Sequence, residues 1–208
     1  MLMIIRTIKK SLYKFGVANR LAKKRLRKID RLMKQQLLTP QGKKQLVLDI
    51  GCQRGKDLIN FLADREDLHI IGLDLIDYGF RQDNFNLVIG DASYLPFAKD
   101  VFDISTSIGV FEHIIPIEEL VKAVSEIRRV SKSFLAVMPS INTIIEPHIS
   151  QFFWQLRDKN KKKAYQGTLI HLSDEAWTAF NGFNDAKATR YWHVPPLVCN
   201  LIIYKPPE

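Results

Sequence analysis

The sequence predicts a doubly wound α/β fold, and three observations carry that expectation. Short apolar runs at Leu46–Ile50, His69–Leu75, Asn86–Ile89 and Phe102–Ser107 read as buried strands, since each is too short for a helix. Turn or helix signals separate them, the alternation expected of a parallel sheet with helices on both faces. Several of these runs also end in, or run straight into, an acidic residue, as Asp49, Asp74 and Asp91 show. In a parallel sheet such residues collect at one edge, where ligands bind.

Composition limits the alternatives. With 208 residues, 46% apolar and 25% charged, the chain reads as an ordinary globular protein with a sizeable core. Two cysteines, Cys52 and Cys199, are too few for a disulfide scaffold or a zinc site, so a reducing, cytoplasmic setting is expected, peripheral at a membrane if the basic arm binds lipid. No apolar run approaches the ~20 residues that cross a bilayer. Charge is uneven. Twelve Lys and Arg fall in residues 1–38 against one acid, Asp30, which leaves the rest of a +9 chain slightly acidic.

The expected division is a basic helical arm, 1–42, followed by a ligand-binding domain, 43–208. In the arm, apolar residues at Ile4, Ile8, Leu12 and Phe15, then Ala18, Ala22, Leu26, Ile29, Met33 and Leu37, step by three and four. They form one helical stripe, broken near Gly16, with Lys and Arg on the other face. Three roles fit it: a helix docked on the domain, a helix lying on an anionic membrane, or a grip on nucleic acid.

The decisive stretch is Leu46–Asp57, a strand followed by a tight turn and, from Leu58 to Ala63, a helix. Gln53 and Lys56 stand where a dinucleotide fingerprint needs glycines, and no Walker glycine precedes Gly55. What remains is Asp49-x-Gly51-Cys52-x-x-Gly55. This resembles motif I of the class I S-adenosylmethionine-dependent methyltransferases, with Gln53 departing from the usual middle glycine. Glycine lets the backbone approach the ligand, and Asp49 suits an ammonium group. Asp74, 23 residues beyond Gly51, stands at the spacing of a ribose-binding carboxylate, with Leu75 beside it.

Gly90-Asp91-Ala92-Ser93-Tyr94-Leu95-Pro96-Phe97, followed by Phe102-Asp103, is similar to the small-molecule branch of that family, the methyltransferase type 11-like enzymes. The resemblance implies a Rossmann-like sheet of about seven strands, mostly parallel with an antiparallel last strand, and S-adenosylmethionine as cofactor. It assigns Asp91 and the Ala92 amide to adenine, and Ser107, at the end of the fourth strand, to the methionine moiety. His113 becomes the candidate general base and Glu112 its orienter, histidine being the side chain that can take a proton near neutral pH. Glu112, His113 and His148 could also hold a metal. Because Gly109 stands where the metal-binding relatives carry a second Glu, no metal is assigned.

Residues Ile76–Phe85 are too few for a full crossover helix, so a trimmed loop is expected. Ile117–Val130 reads as an amphipathic helix, Ser131–Pro139 as the fifth strand, Ser173–Phe180 as the last helix, and Asp185–Tyr191 and Leu197–Tyr204 as the final strands. A lid-like insert at about 140–172 carries His148, Phe153 and Trp154 as acceptor-binding candidates. The expected activity is methyl transfer to an oxygen, nitrogen or carbon of a small or lipid- or glycan-linked acceptor. An RNA-modifying enzyme that grips RNA with the arm is the first alternative, and a non-catalytic interaction module the second.

Overall fold

Seven strands form one sheet in the order β3-β2-β1-β4-β5-β9-β8. The computed structural model describes residues 17–40, 42–53, 58, 65–79, 82–146, 151–152, 169–195 and 198–207. In chain order the elements are α1 (Val17–Gln36), β1 (Gln45–Ile50), β2 (Leu68–Asp74), β3 (Phe85–Ile89) and β4 (Phe102–Ile108). After a 3₁₀ turn at Phe111–His113 come α2 (Ile117–Val130), β5 (Ser131–Pro139), the short pair β6 (Ile145–Glu146) and β7 (Gln151–Phe152), α3 (Asp174–Thr178), β8 (Lys187–Val194) and β9 (Val198–Lys205).

Strands β1 to β5 pair in parallel, while β9 lies antiparallel between β5 and β8. This is the expected mixed sheet, with the reversal in its last strand. Strand-to-strand register puts Ile50 beside Leu73 and Ser107, so the tips of β1, β2 and β4 sit level at one edge. Between β2 and β3 the described residues form turns and a single bridge, Gln82–Phe85, with no helix among them.

Period-two alternation sends each strand's apolar residues to both faces. On one face Leu48, Ile50, Ala136, Met138 and Ile203 meet the stripe Leu120, Ala123, Val124, Ile127 and Val130 of α2, with Trp177 and Phe183 closing the layer. Helix α2 has Glu118 and Glu119 in its first turn and Arg128 and Arg129 in its last, each sign opposing the local dipole charge.

On the other face Val47, Ile70, Ile104, Leu135, Val137 and Ile202 are covered by Leu26, Ile29, Leu32, Met33, Leu37 and Leu38 from α1 and the residues after it. Each such buried side chain contributes roughly 1.5–3 kcal/mol, so this part of the basic segment is a structural layer. The docking is fastened at both ends. Tyr191 of β8 donates its hydroxyl to the Lys24 carbonyl at 3.4 Å, and Thr39 N–H donates to Gln45 Oε1 at 2.9 Å. Arg65 also reaches Thr39 O while holding Asp67 through two hydrogen bonds, at 2.7 and 2.8 Å. That guanidinium holds the Asp67 carboxyl well below the usual carboxylate range.

Candidate functional site

The edge where β1, β2 and β4 end opens into a cleft of about 240 Å³. Its walls include Gly51, Gln53, Asp74, Leu75, Tyr78, Asp91, Ala92, Gly109, Val110 and His113.

The β1 turn is shaped by two left-handed residues. Gly51 has φ +67°, and a Cβ there would lie 2.4 Å from Val110 Cγ2, so the turn packs against Val110 only because the side chain is absent. Gln53 has φ +49°, the conformation that makes glycine common at this position. Its N–H donates to Asp74 Oδ2 at 2.8 Å, and Ile76 N–H donates to Oδ1 at 3.2 Å, which aims the carboxylate at the cleft.

Asp91 follows β3 and is exposed there. Its Oδ1 accepts from Ser93 N–H at 2.8 Å, and its carbonyl accepts from Tyr94 N–H, so the acid heads a tight turn. Leu75, 71% exposed, and Tyr78 form an apolar rim beside it. His113 ends the 3₁₀ turn and is exposed at the mouth.

Four sequence candidates lie behind the cleft wall. Asp49 is buried and accepts from Thr106 Oγ1 at 2.8 Å, within the sheet under the turn. Cys52 turns its side chain to the α1 side of the sheet, where its sulfur occupies the space a Gly72 side chain would need. Any part it takes in binding therefore falls to its backbone. Burial, then the charges of Asp49 and Asp74, push its thiol up to about 12. Ser107 is 1% exposed, and its Oγ meets no hydrogen-bond partner among the described residues. Glu112 is equally buried, its carbonyl accepting from Ile170 N–H at 2.7 Å. Gly55, His148, Phe153 and Trp154 lie outside the described residues.

Three carboxylates thus stand at successive strand ends with Ser107 Oγ unsatisfied beneath them. An adenosyl amino acid with sulfonium and ammonium charges suits that wall. Sequence reasoning did not single out Tyr78 or Val110 as cleft residues, or Thr106 as the partner of Asp49. Tyr78 sits in an aperiodic loop, and the other two become visible only when β1 and β4 are paired.

A family model described as a methyltransferase domain matches residues 48–134, from within β1 to within β5. Across those residues the chain is similar to the class I S-adenosylmethionine-dependent methyltransferases. Among curated proteins the chain is similar to a Mus musculus protein named "Probable tRNA methyltransferase 9B", 29% identical over 140 residues that cover 65% of this chain and 28% of the relative. It is also similar to the Mus musculus tRNA (carboxymethyluridine(34)-5-O)-methyltransferase ALKBH8, 30% identical over 143 residues covering 65% and 19%. The chain spans less than a third of the length of these relatives.

Two solved structures share its fold. One is a Haloferax volcanii methyltransferase in complex with the Trm112 methyltransferase activator (TM-score 0.61, 15% identity, 95% of this chain and 97% of that one). The other is the Burkholderia thailandensis 1,6-didemethyltoxoflavin-N1-methyltransferase with bound S-adenosylhomocysteine (TM-score 0.60, 14% identity, 99% and 88%).

Proposed function

We propose that this chain binds S-adenosylmethionine in the β1–β4 cleft and directs its methyl group to an RNA nucleoside. The observation that carries the cofactor reading is the meeting of Gly51, Asp74 and Asp91 around one cleft. In this reading Asp91 accepts from the adenine amine, Asp74 takes the ribose hydroxyls, and the Gly51 turn over Asp49 receives the amino-acid end. The cofactor supplies an already activated methyl group on a sulfonium.

What remains for the protein is placement. Holding acceptor and methyl in line while excluding water can supply roughly 7–11 kcal/mol of the barrier. His113 stands at the cleft mouth, where it can take the acceptor's proton if the acceptor carries one. Buried Glu112 serves as a packing and anchoring residue of the same turn.

RNA is preferred over a small or lipid-linked acceptor because curated relatives that match across this domain carry tRNA methyltransferase names. The lipid-linked version also loses support in α1, whose apolar stripe from Leu26 to Leu38 is already buried on the sheet.

Isothermal titration with S-adenosylmethionine tests the cofactor site. Binding is expected, and Asp91→Ala should weaken it at least tenfold. Absent binding by the wild-type chain would leave the non-catalytic interaction module as the better reading. Transfer of labelled methyl to total tRNA tests the acceptor, and His113→Gln should lower kcat while leaving cofactor affinity intact.

A further inference from the structure

Helix α1 exposes a row of cations that the fold does not use. Lys23, Lys24, Arg27 and Arg31 are exposed, Lys28 is partly so, and among the described residues no carboxylate pairs with any of the five. The one acid within this stretch, Asp30, turns to Lys34 at 3.2 Å. Away from residues 1–38 the chain is slightly acidic, so these charges belong to one place and are not a general property of the surface.

The row has a defined course. Twenty helical residues span about 30 Å, and α1 runs from β8, where Tyr191 holds Lys24, to the start of β1, where Thr39 meets Gln45. Strands β8 and β5 point the same way, since each is antiparallel to β9. Tyr191 lies in the second half of β8, toward the edge on which the cleft opens. The ridge therefore begins on the sheet edge where the cleft opens, four strands along from β1, and crosses the face of the sheet toward the opposite edge. The opposite side of the helix is occupied, with Ile29 and Met33 at most 1% exposed, so from Leu26 onward it has no apolar face left to enter a bilayer.

Resting on the RNA reading above, we infer that the exposed face of α1 is the phosphate grip for the RNA acceptor. It holds the strand outside the cleft while one nucleoside enters, and it reads charge without reading sequence. A membrane would need the apolar stripe, which from Leu26 to Leu38 the sheet has already taken. A polyanion needs only the side that remains.

The test uses the full chain and total tRNA, with affinity followed by fluorescence anisotropy from ~50 to ~300 mM KCl. Each phosphate contact to a single strand contributes about −0.7 to the slope of log K against log salt. The triple variant Lys24→Gln, Arg27→Gln, Arg31→Gln should therefore flatten that slope by about 2 and weaken binding roughly 30- to 100-fold near 100 mM salt. Its unfolding midpoint and S-adenosylmethionine affinity should stay at wild-type values, because the changed side chains are exposed. Wild-type affinity and slope in the variant would overturn the inference. Intact methylation of tRNA by that variant, with an unchanged KM for tRNA, would reject this surface yet leave the RNA acceptor standing. No tRNA binding or methylation by the wild-type chain would remove the acceptor reading and this surface with it. Co-sedimentation with phosphatidylcholine–phosphatidylglycerol vesicles in place of tRNA binding would reassign the ridge to lipid.

Discussion

The carboxyl edge of the sheet has two halves that treat their polar groups in opposite ways. At the tips of β1, β2 and β4, and just beyond β3, polar groups stop short of satisfying one another. Asp74 has one backbone donor to each oxygen, Asp91 has one to its side chain, and Ser107 Oγ has none among the described residues. Around β5, β9 and β8 the groups close on themselves. Ser140 Oγ donates to Asp174 at 2.8 or 2.9 Å, Asn142 Nδ2 donates at 3.0 Å and Arg190 Nε at 2.5 Å. Asp174 is 3% exposed and fully engaged. Both halves contain acids at strand or helix ends. What separates a site from a clamp is how many donors each acid already holds.

The open half depends first on its turn. Gly51→Ala places a Cβ against Val110 and forces a side chain into a left-handed conformation, costing about 1–2 kcal/mol for the backbone and about 1–3 kcal/mol for the crowding. Urea unfolding should show roughly 2–5 kcal/mol of lost stability, and titration should detect no S-adenosylmethionine binding. A variant that binds like wild type would remove the turn from the site.

A crossed pair of substitutions sharpens the contrast. Asp91→Ala removes a charged acceptor that the ligand uses, worth about 1.5–3 kcal/mol, so S-adenosylmethionine should bind roughly 10- to 100-fold more weakly. The fold loses only one turn bond, about 0.5–1 kcal/mol. Asp174→Ala should do the reverse. Ser140 is left buried without its acceptor, whereas Arg190, half exposed, returns to water. Stability should fall by about 2–3 kcal/mol with cofactor affinity within about twofold of wild type. Equal loss of affinity in both variants would mean the two halves act as one site.

These two halves were also unequally legible in the sequence. The open half announces itself because backbone turns and acids fall at fixed short spacings: Gly51 follows Asp49 by two residues, and Asp91 opens a turn closed by Leu95 and Pro96. The clamp is invisible locally. Ser140 and Asp174 are 34 residues apart, and nothing in either segment marks the other as its partner. Helix α1 falls between these cases. Its stripe predicts a helix with one apolar face, but only the paired sheet shows what that face covers. Residue ranges shifted by one to three at several ends, most at β8, where Lys187–Val194 replaces the expected Asp185–Tyr191.

Gln53 tests whether the open half keeps local strain for a purpose. Glycine at φ +49° avoids about 1 kcal/mol of left-handed strain, offset in part by the greater freedom of a glycine when unfolded. Gln53→Gly should therefore leave stability unchanged or raise it by about 0.5 kcal/mol in urea unfolding. Cofactor affinity should hold within about twofold, because the bond to Asp74 comes from the backbone. A clear drop in affinity would give the Gln53 side chain a binding role of its own.

The smallest effect expected belongs to the closed half at its opposite edge. Asp185 receives Lys205 Nζ and Arg128, each at 2.8 Å, tying the entry of β8 to the end of β9 and to α2. Those bonds, Lys205 first, hold its carboxyl down at about 2, below the usual 3.8. A carboxyl lowered by folding adds stability that is complete above its unfolded value and fades as pH falls through the folded one. The loss should therefore run from about pH 4 to about pH 2. Because Asp185 is 42% exposed, solvent screening limits the effect to less than about 1 kcal/mol. Unfolding free energies of wild type and Asp185→Asn should differ at pH 5 and converge toward pH 2, with the gap narrowing in high salt. A gap that persists at low pH would show that the side chain acts there by packing, independent of its charge.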